Sequence, residues 1–179
     1  MKDRVKNVLN ASLSLSACAL LSIAFCPGAH ADNASIQSFF YAAAGHYTGS
    51  GNARDFSAAG EKDINYDIDL NVALGDDGAL NLSSQTDTDG LSGSGQESLH
   101  LSGDALYVTM LGGSSIPVRI LESTGATLAF SFQYVGYDGQ IYTVEDHYCL
   151  SSGSFAAHDT ISVNGSVVQD DEFQASPGR

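Results

Sequence analysis

Residues 64–74 alternate strictly between apolar and polar or small side chains. A period of two places successive side chains on opposite faces of a β-strand, so this segment predicts a strand that buries one face. The apolar face consists of Ile64, Tyr66, Ile68, Leu70, Val72 and Leu74.

Short connections of the kind that join hairpin strands recur along the rest of the chain. Asp76-Asp77-Gly78, Gly103-Asp104, Ser152-Gly153 and Asn164-Gly165 all carry residues that tight turns require. Residues 87–95, rich in Gly, Ser and Asp, are predicted to form a longer loop. The predicted strands lie near 46–57, 63–74, 79–86, 96–102, 105–111, 116–122, 126–136, 140–150, 154–163 and 166–172.

One helix is predicted before the first strand. Asn33 or Ser35 can cap its start, and Gly45 ends it. Its apolar residues follow the helical spacing i, i+3, i+4, i+7: Ile36, Phe39, Phe40 and Ala43.

A meander of about ten strands with one apolar face must roll up or pair with a second sheet, because an open sheet of this length leaves edges and apolar surface exposed. The sequence therefore predicts an all-β fold, an up-and-down antiparallel barrel of about 8–10 strands, with the short N-terminal helix plugging one end or packing beside it. The predicted interior is Tyr66, Ile68, Leu70, Val72, Leu82, Leu101, Val108, Met110, Phe130, Phe132, Tyr134 and Tyr148.

The predicted helix is followed by Gly45-His46-Tyr47-Thr48-Gly49-Ser50-Gly51. This opening resembles that of calycin-type barrels, the lipocalin and fatty-acid-binding superfamily, whose first strand commonly starts with Gly-x-Trp. Tyr47 stands where those proteins have the Trp. The resemblance implies a soluble barrel that holds a small lipophilic ligand.

The first 31 residues have the order of a secretory signal peptide. Three basic residues lie within the first six positions, an apolar stretch runs over 8–25, and Ala29-His30-Ala31 provides a small-x-small cleavage site. We expect export to the periplasm or the exterior, and a single barrel domain over 32–179. Leu15-Ser16-Ala17-Cys18 also resembles a lipobox, which leaves lipidation at Cys18 as an alternative.

The chain is strongly acidic. Of 21 acidic and 7 basic side chains, residues 1–31 hold one and three, so 20 acids and four bases remain beyond them. This balance excludes nucleic acid as a partner and argues against anionic lipid head groups. Beyond the predicted signal peptide, no run is long or apolar enough for a transmembrane helix. A small outer-membrane barrel stays an alternative, although several predicted strands are short and the apolar face contains acids.

Three aspartates are predicted to form a row on the apolar face. A two-residue loop at 152–153 pairs Asp146 with Asp159, and the Asn164-Gly165 turn pairs Asp170 with Asp159. Such a row needs a shared proton, a cation such as Ca²⁺, a basic ligand or water. The row would anchor the head group of an apolar ligand, preferring a cationic or donor-bearing head over a carboxylate. Alternatively, a bulge or a frayed last strand turns these acids to solvent.

The predicted ligand site combines this row with five aromatic side chains of the interior, Tyr66, Phe130, Phe132, Tyr134 and Tyr148. On the opposite face of the same hairpin, His147 lies across from His158 with Glu145 nearby. These three are weak candidates for a zinc or copper site, and the alternative is ordinary surface residues.

Nothing in the sequence points to catalysis or to a particular cofactor, since it has no G-x-S-x-G elbow, no CxxC and no phosphate loop. Beyond residue 31 the one thiol is Cys149, which could link two chains in an oxidising compartment. The function expected is therefore binding of a small apolar or amphipathic molecule in the barrel, without catalysis. The alternative is a structural or interaction module of the cell envelope.

Overall fold

The computed structural model describes residues 32–56, 60–110 and 113–178. The predicted signal peptide and the lipobox cysteine Cys18 lie outside these residues. The described chain contains one helix, α1 (Asn33–Ala43), followed by antiparallel strands. The strands are β1 (Gly45–Asp55), β2 (Lys62–Leu74), β3 (Leu80–Thr88), β4 (Leu91–Ser102), β5 (Ala105–Met110), β6 (Ile116–Pro117), β7 (Arg119–Ser123), β8 (Thr127–Val135), β9 (Ile141–Ser151), β10 (Ser154–Val163) and β11 (Ser166–Pro177).

The 11 strands form one up-and-down sheet that rolls into a nearly closed barrel, as the sequence predicts. Strands adjacent in sequence are paired except β6 and β7, and β1 also pairs with β11, so that Tyr47 lies opposite Pro177. The hairpin of β9 and β10 has the register that the sequence predicts.

The barrel closes through the segment that was predicted as one strand over 116–122. Its first part, β6, pairs with β5, and its second part, β7, pairs with β8. Pro117 has no N–H to donate, and the Val118 N–H bonds the Leu106 carbonyl at 3.0 Å. The segment therefore changes its partner at Val118, and one predicted strand becomes two.

The loop predicted over 87–95 is absent. Strand β3 continues to Thr88, the two-residue turn Asp89-Gly90 follows, and β4 begins at Leu91. Sequence reasoning missed this part of the hairpin because its inward positions are not large apolar residues. Thr86 faces Gly93 and Ser84 faces Gly95, so the period of two carries no hydrophobic signal.

The apolar face of the strands lies inside the barrel, as predicted. Of the 12 predicted interior residues, ten are buried, and Leu101 and Tyr134 are partly buried and pack against the core. The outward face of β2 carries exposed residues such as Asp63, Asp67 and Asp69. Within the described residues, no helix is long and apolar enough to cross a membrane.

The helix α1 covers one end of the barrel. Asp32 caps it, accepting a hydrogen bond from the Ala34 N–H at 3.0 Å, in place of the predicted Asn33 or Ser35. It contacts β2 on one wall and β7 and β8 on the opposite wall. Its predicted apolar residues, Ile36, Phe39, Phe40 and Ala43, are all buried.

The other end of the barrel holds the turns between β3 and β4, between β8 and β9, and between β10 and β11. Inward-facing residues near this end keep partial exposure, including Ile64, Tyr134 and Tyr142. The half of the interior beneath α1 is instead filled by fully buried side chains such as Leu80 and Leu99. The barrel therefore has one plugged end and one end that solvent reaches.

Candidate functional site

Asp146 on β9 lies directly opposite Asp159 on β10, in the register that the sequence predicts. Asp146 is only 3% exposed. Asp159 keeps some exposure as a residue, but its Oδ1 atom is buried and has no hydrogen-bond partner. The two carboxyl groups are close enough to hydrogen-bond each other, which requires a proton on one of them.

The prediction that Asp170 completes the row with Asp146 and Asp159 is wrong by one residue. The register near the Asn164-Gly165 turn is as predicted, but it shifts between Ser162 and Ile161, where Val168 forms a bulge in β11. Asp159 is therefore opposite Asp171, and Asp170 is opposite Thr160. Asp171 is buried at 4% exposure on the inner face.

Asp170 lies on the outer face. The alternative interpretation, in which a bulge turns the acids to solvent, predicts this position for Asp170. Its carboxylate accepts hydrogen bonds from Arg54 of β1 and from His158 of β10, the latter at 2.6 Å. Partial burial alone would raise the pKa of Asp170. The hydrogen bond and charge of His158, together with Arg54, outweigh it and hold that pKa below its usual value.

A fourth buried acid comes from the other side of the barrel. Glu97 on β4 is 7% exposed, and the Tyr148 hydroxyl on β9 donates a hydrogen bond to its Oε1 at 3.0 Å. In a similar contact, the Tyr66 hydroxyl on β2 donates to Asp171 Oδ1 at 2.5 Å. We call Glu97, Asp146, Asp159 and Asp171 the carboxyl layer.

Two buried hydroxyl groups lie beside the carboxyl layer without hydrogen-bond partners. Ser84 Oγ and Thr86 Oγ1 on β3 have no partner in the structure, although the residues are 3% and 6% exposed. Ser84 pairs with Gly95, and the next inward position on β4 is Glu97. The hydroxyls thus lie between the carboxyl layer and the barrel end opposite α1.

Burial and mutual repulsion shift the titration of the carboxyl layer. Burial, and then the charge of Glu97, raise the pKa of Asp146 despite its hydrogen bond to Asp159. Burial and the charges of Asp146, Asp171 and Glu97 raise the pKa of Asp159, so the pair takes up a proton more readily than exposed aspartates do. Burial also raises the pKa of Glu97 to about 7, although the hydrogen bond from Tyr148 opposes this shift.

The predicted aromatic residues divide between the layer and the exposed end. Phe130 lies opposite Asp146, and its ring meets Tyr148 edge-on with centroids 5.7 Å apart. Phe132 is fully buried one inward position further from α1. Tyr134 is farther from the layer, stacked on Tyr142 at 5.1 Å near the barrel end opposite α1. Tyr66 and Tyr148 thus contact the layer directly, while Tyr134 lies nearer the solvent.

The metal candidates lie on the outer face. His147 is opposite His158 and Glu145 lies two residues along β9 from His147, as predicted, while His158 is hydrogen-bonded to Asp170. Within the described residues, no group of three or more His, Cys, Asp or Glu side chains is arranged to hold a metal ion. His147, His158 and the exposed thiol of Cys149 line an outer groove of about 640 Å³. A Cys149-linked dimer stays a prediction.

Comparison with known proteins gives no family assignment. No protein-family model matches this chain, and no curated protein matches it.

Sequence reasoning missed Glu97 and Asp171, although the alternation of side chains along each strand indicates that both face inward. Glu97 has the parity of Leu99 and Leu101, so it lies on the apolar face of its strand. Asp171 has the parity of Phe173 and Ala175, which also points inward. For Asp171, the register counted from the Asn164-Gly165 turn hid the inward position, because the count assumed a strand without a bulge.

Proposed function

We propose that this protein is an exported, calycin-like barrel that binds a small amphipathic molecule in its interior without catalysis. The observation that carries the proposal is the carboxyl layer in an otherwise apolar core, together with buried oxygen atoms that no protein group satisfies. A buried polar atom without a partner costs free energy, so a site of this kind favours a ligand that supplies hydrogen bonds.

The shape of the barrel supports one orientation for the ligand. The end beneath α1 is plugged, while Tyr134 and Tyr142 at the opposite end keep partial exposure. A ligand that enters from the exposed end brings its polar group to the carboxyl layer near the middle of β4, β9, β10 and β11. Its apolar part contacts side chains such as Phe132 and Val144, which are buried between the layer and that end.

Native mass spectrometry of the protein purified from its own host tests binding directly. We expect an additional mass of a small molecule that is released when the protein is denatured. A second measurement uses pure protein and three ten-carbon probes, decylamine, 1-decanol and decanoate, in calorimetric titrations. Saturable binding of at least one probe supports the proposal.

A matched pair of variants locates the binding. Glu97→Gln and Asp67→Asn each remove one carboxylate, one from the carboxyl layer and one from the exposed outer face of β2. Only Glu97→Gln should change probe binding. A clean apoprotein mass together with no binding of any probe contradicts the proposal and favours a structural module of the cell envelope.

A further inference from the structure

The chemistry of the carboxyl layer narrows the class of ligand, on the basis of the proposed function. We propose that the group held at this layer is the protonated amine of an organic cation, rather than a carboxylate, an uncharged hydroxyl or a metal ion. The layer combines four acids from four strands: Glu97, Asp146, Asp159 and Asp171.

The charges around the carboxyl layer favour a cation as its ligand. The basic side chains among the described residues, Arg54, Lys62 and Arg119, are all exposed. The charged or titratable groups that face the layer are its own four acids and the phenols of Tyr66 and Tyr148. The strands β3 and β8 contribute Ser84, Thr86 and Phe130, which carry no charge. An organic cation neutralises such a layer, whereas a carboxylate head adds a further like charge.

The unsatisfied hydrogen-bond acceptors favour a ligand group that has several donors. Asp159 Oδ1, Ser84 Oγ and Thr86 Oγ1 are buried without partners, and each of them can accept a hydrogen bond. An ammonium group offers three donors and no acceptor, as a Lys side chain does. An alcohol offers a single donor. The unsatisfied atoms therefore match an amine better than a hydroxyl.

The spacing of the four acids favours an amine over a metal ion. Ca²⁺ requires six to eight oxygen atoms that converge at about 2.3–2.6 Å. The carboxyl layer is instead divided between β4 on one wall and β9, β10 and β11 on the other, and Tyr66 and Tyr148 each occupy an oxygen of one acid. The described acids form no metal-holding group. This spread suits the directional donors of an amine.

Binding of a cation has a consequence for the shared proton. Asp146 and Asp159 face each other across the ladder, and the raised pKa of both means that in the free protein the pair holds a proton that reduces its repulsion. A protonated amine that reaches this pair takes over that role, so the proton leaves to solvent and both carboxylates become charged. Loading is therefore an exchange of a proton for an organic cation, and acid favours release of the ligand.

The three ten-carbon probes distinguish the inference from the proposed function. We expect decylamine to bind roughly 10- to 100-fold more tightly than 1-decanol at pH 7.5, and decanoate to bind more weakly than both. Titrations in buffers with different ionisation enthalpies should show proton release for decylamine. Equal binding of decylamine and 1-decanol overturns the inference but leaves the proposed function standing, whereas no binding of any probe contradicts both.

Variants test whether the layer causes the preference. Asp159→Asn and Glu97→Gln should each reduce the ratio of decylamine to 1-decanol affinity by about tenfold, and Asp67→Asn should leave it unchanged. Circular dichroism establishes that each variant is folded, and two separate substitutions keep the test valid if one variant does not fold. An unchanged ratio in folded variants, or tighter binding of Ca²⁺ than of decylamine, overturns the inference.

Discussion

The hydroxyl of Tyr148 on β9 donates a hydrogen bond across the barrel interior to Glu97 on β4, at 3.0 Å. The bond joins two walls that no strand ladder connects directly. It also gives a buried carboxyl group a donor, and it opposes the rise in the pKa of Glu97 that burial causes. A single phenol therefore affects both the packing and the charge state of the interior.

Removing that phenol should destabilise the protein in a pH-dependent way. Tyr148→Phe leaves Glu97 Oε1 without its donor, so we expect a loss of roughly 1–3 kcal/mol in the free energy of unfolding at pH 8. The loss should be smaller at pH 5, where Glu97 is protonated. Urea denaturation at both pH values measures the effect. Tyr137→Phe, at a side chain 83% exposed, is the control and should change neither value.

The free protein should become less stable as the pH rises from 5 to 8. The pKa of Glu97 is raised from 4.5 to about 7, so the folded state binds the proton more tightly than the unfolded chain does. The resulting stabilisation is full below about pH 4.5 and is lost as the pH rises through about 7, a change on the order of 3 kcal/mol. Asp146 and Asp159 add to it with the same sign.

Denaturant titrations across this range check the slope, and Glu97→Gln should flatten it. Asp170 contributes to the pH dependence of stability with the opposite sign. Because its pKa is lowered, its stabilising contribution is lost only as the pH falls below the usual range of an aspartate. Stability that rises steadily from pH 5 to 8 contradicts the placement of these acids.

Two aspartates that lie 11 positions apart should respond to the same substitution with opposite signs. Asp159→Asn relieves repulsion within the carboxyl layer, so we expect stabilisation of at least about 1 kcal/mol at pH 8. Asp170→Asn removes the partner of Arg54 and His158 on the outer face, so we expect a loss of about 1 kcal/mol or less. Thermal unfolding of the two variants at pH 8 compares them, and shifts of the same sign would falsify the assigned register.

Gly51 has a steric role next to the carboxyl layer. A Cβ atom there would meet the ring and hydroxyl of Tyr66 and would come within 2.7 Å of the Glu172 carbonyl oxygen. We therefore expect Gly51→Ala to displace Tyr66 from Asp171 and to cost about 2 kcal/mol or more. Gly125→Ala is the matched control, because the nearest atom to its Cβ would be Ser38 Cβ at 3.7 Å. Chemical denaturation of both variants provides the comparison.

Alternation and turn chemistry predict most of this fold. The strict period over 64–74 fixes both the strand β2 and its buried face, and the Ser152-Gly153 turn fixes the pairing of Asp146 with Asp159. These inferences hold because each depends on contacts that are close in sequence. The division of 116–122 into two strands could not be predicted, because it depends on which distant strands flank Val118.

The candidate site was predicted in part, for a related reason. A register counted from a turn stays correct only until the first bulge, and the bulge at Val168 exchanged Asp170 for Asp171. The position of Glu97 across the barrel from Asp146 follows from closure of the whole sheet. No pattern within a single hairpin contains that information.

The pairing of β1 with β11 has a consequence for the order in which the barrel folds. Most ladders in the described sheet join strands adjacent in the chain, so they form by closing short loops. Strand β1 instead pairs along one of its two edges with β11, and this ladder forms only when the residues around Ala175 are present. During synthesis the nascent chain can accumulate hairpins while the first strand keeps an unpaired edge. The barrel is thus completed, and the carboxyl layer buried, in the last step of folding.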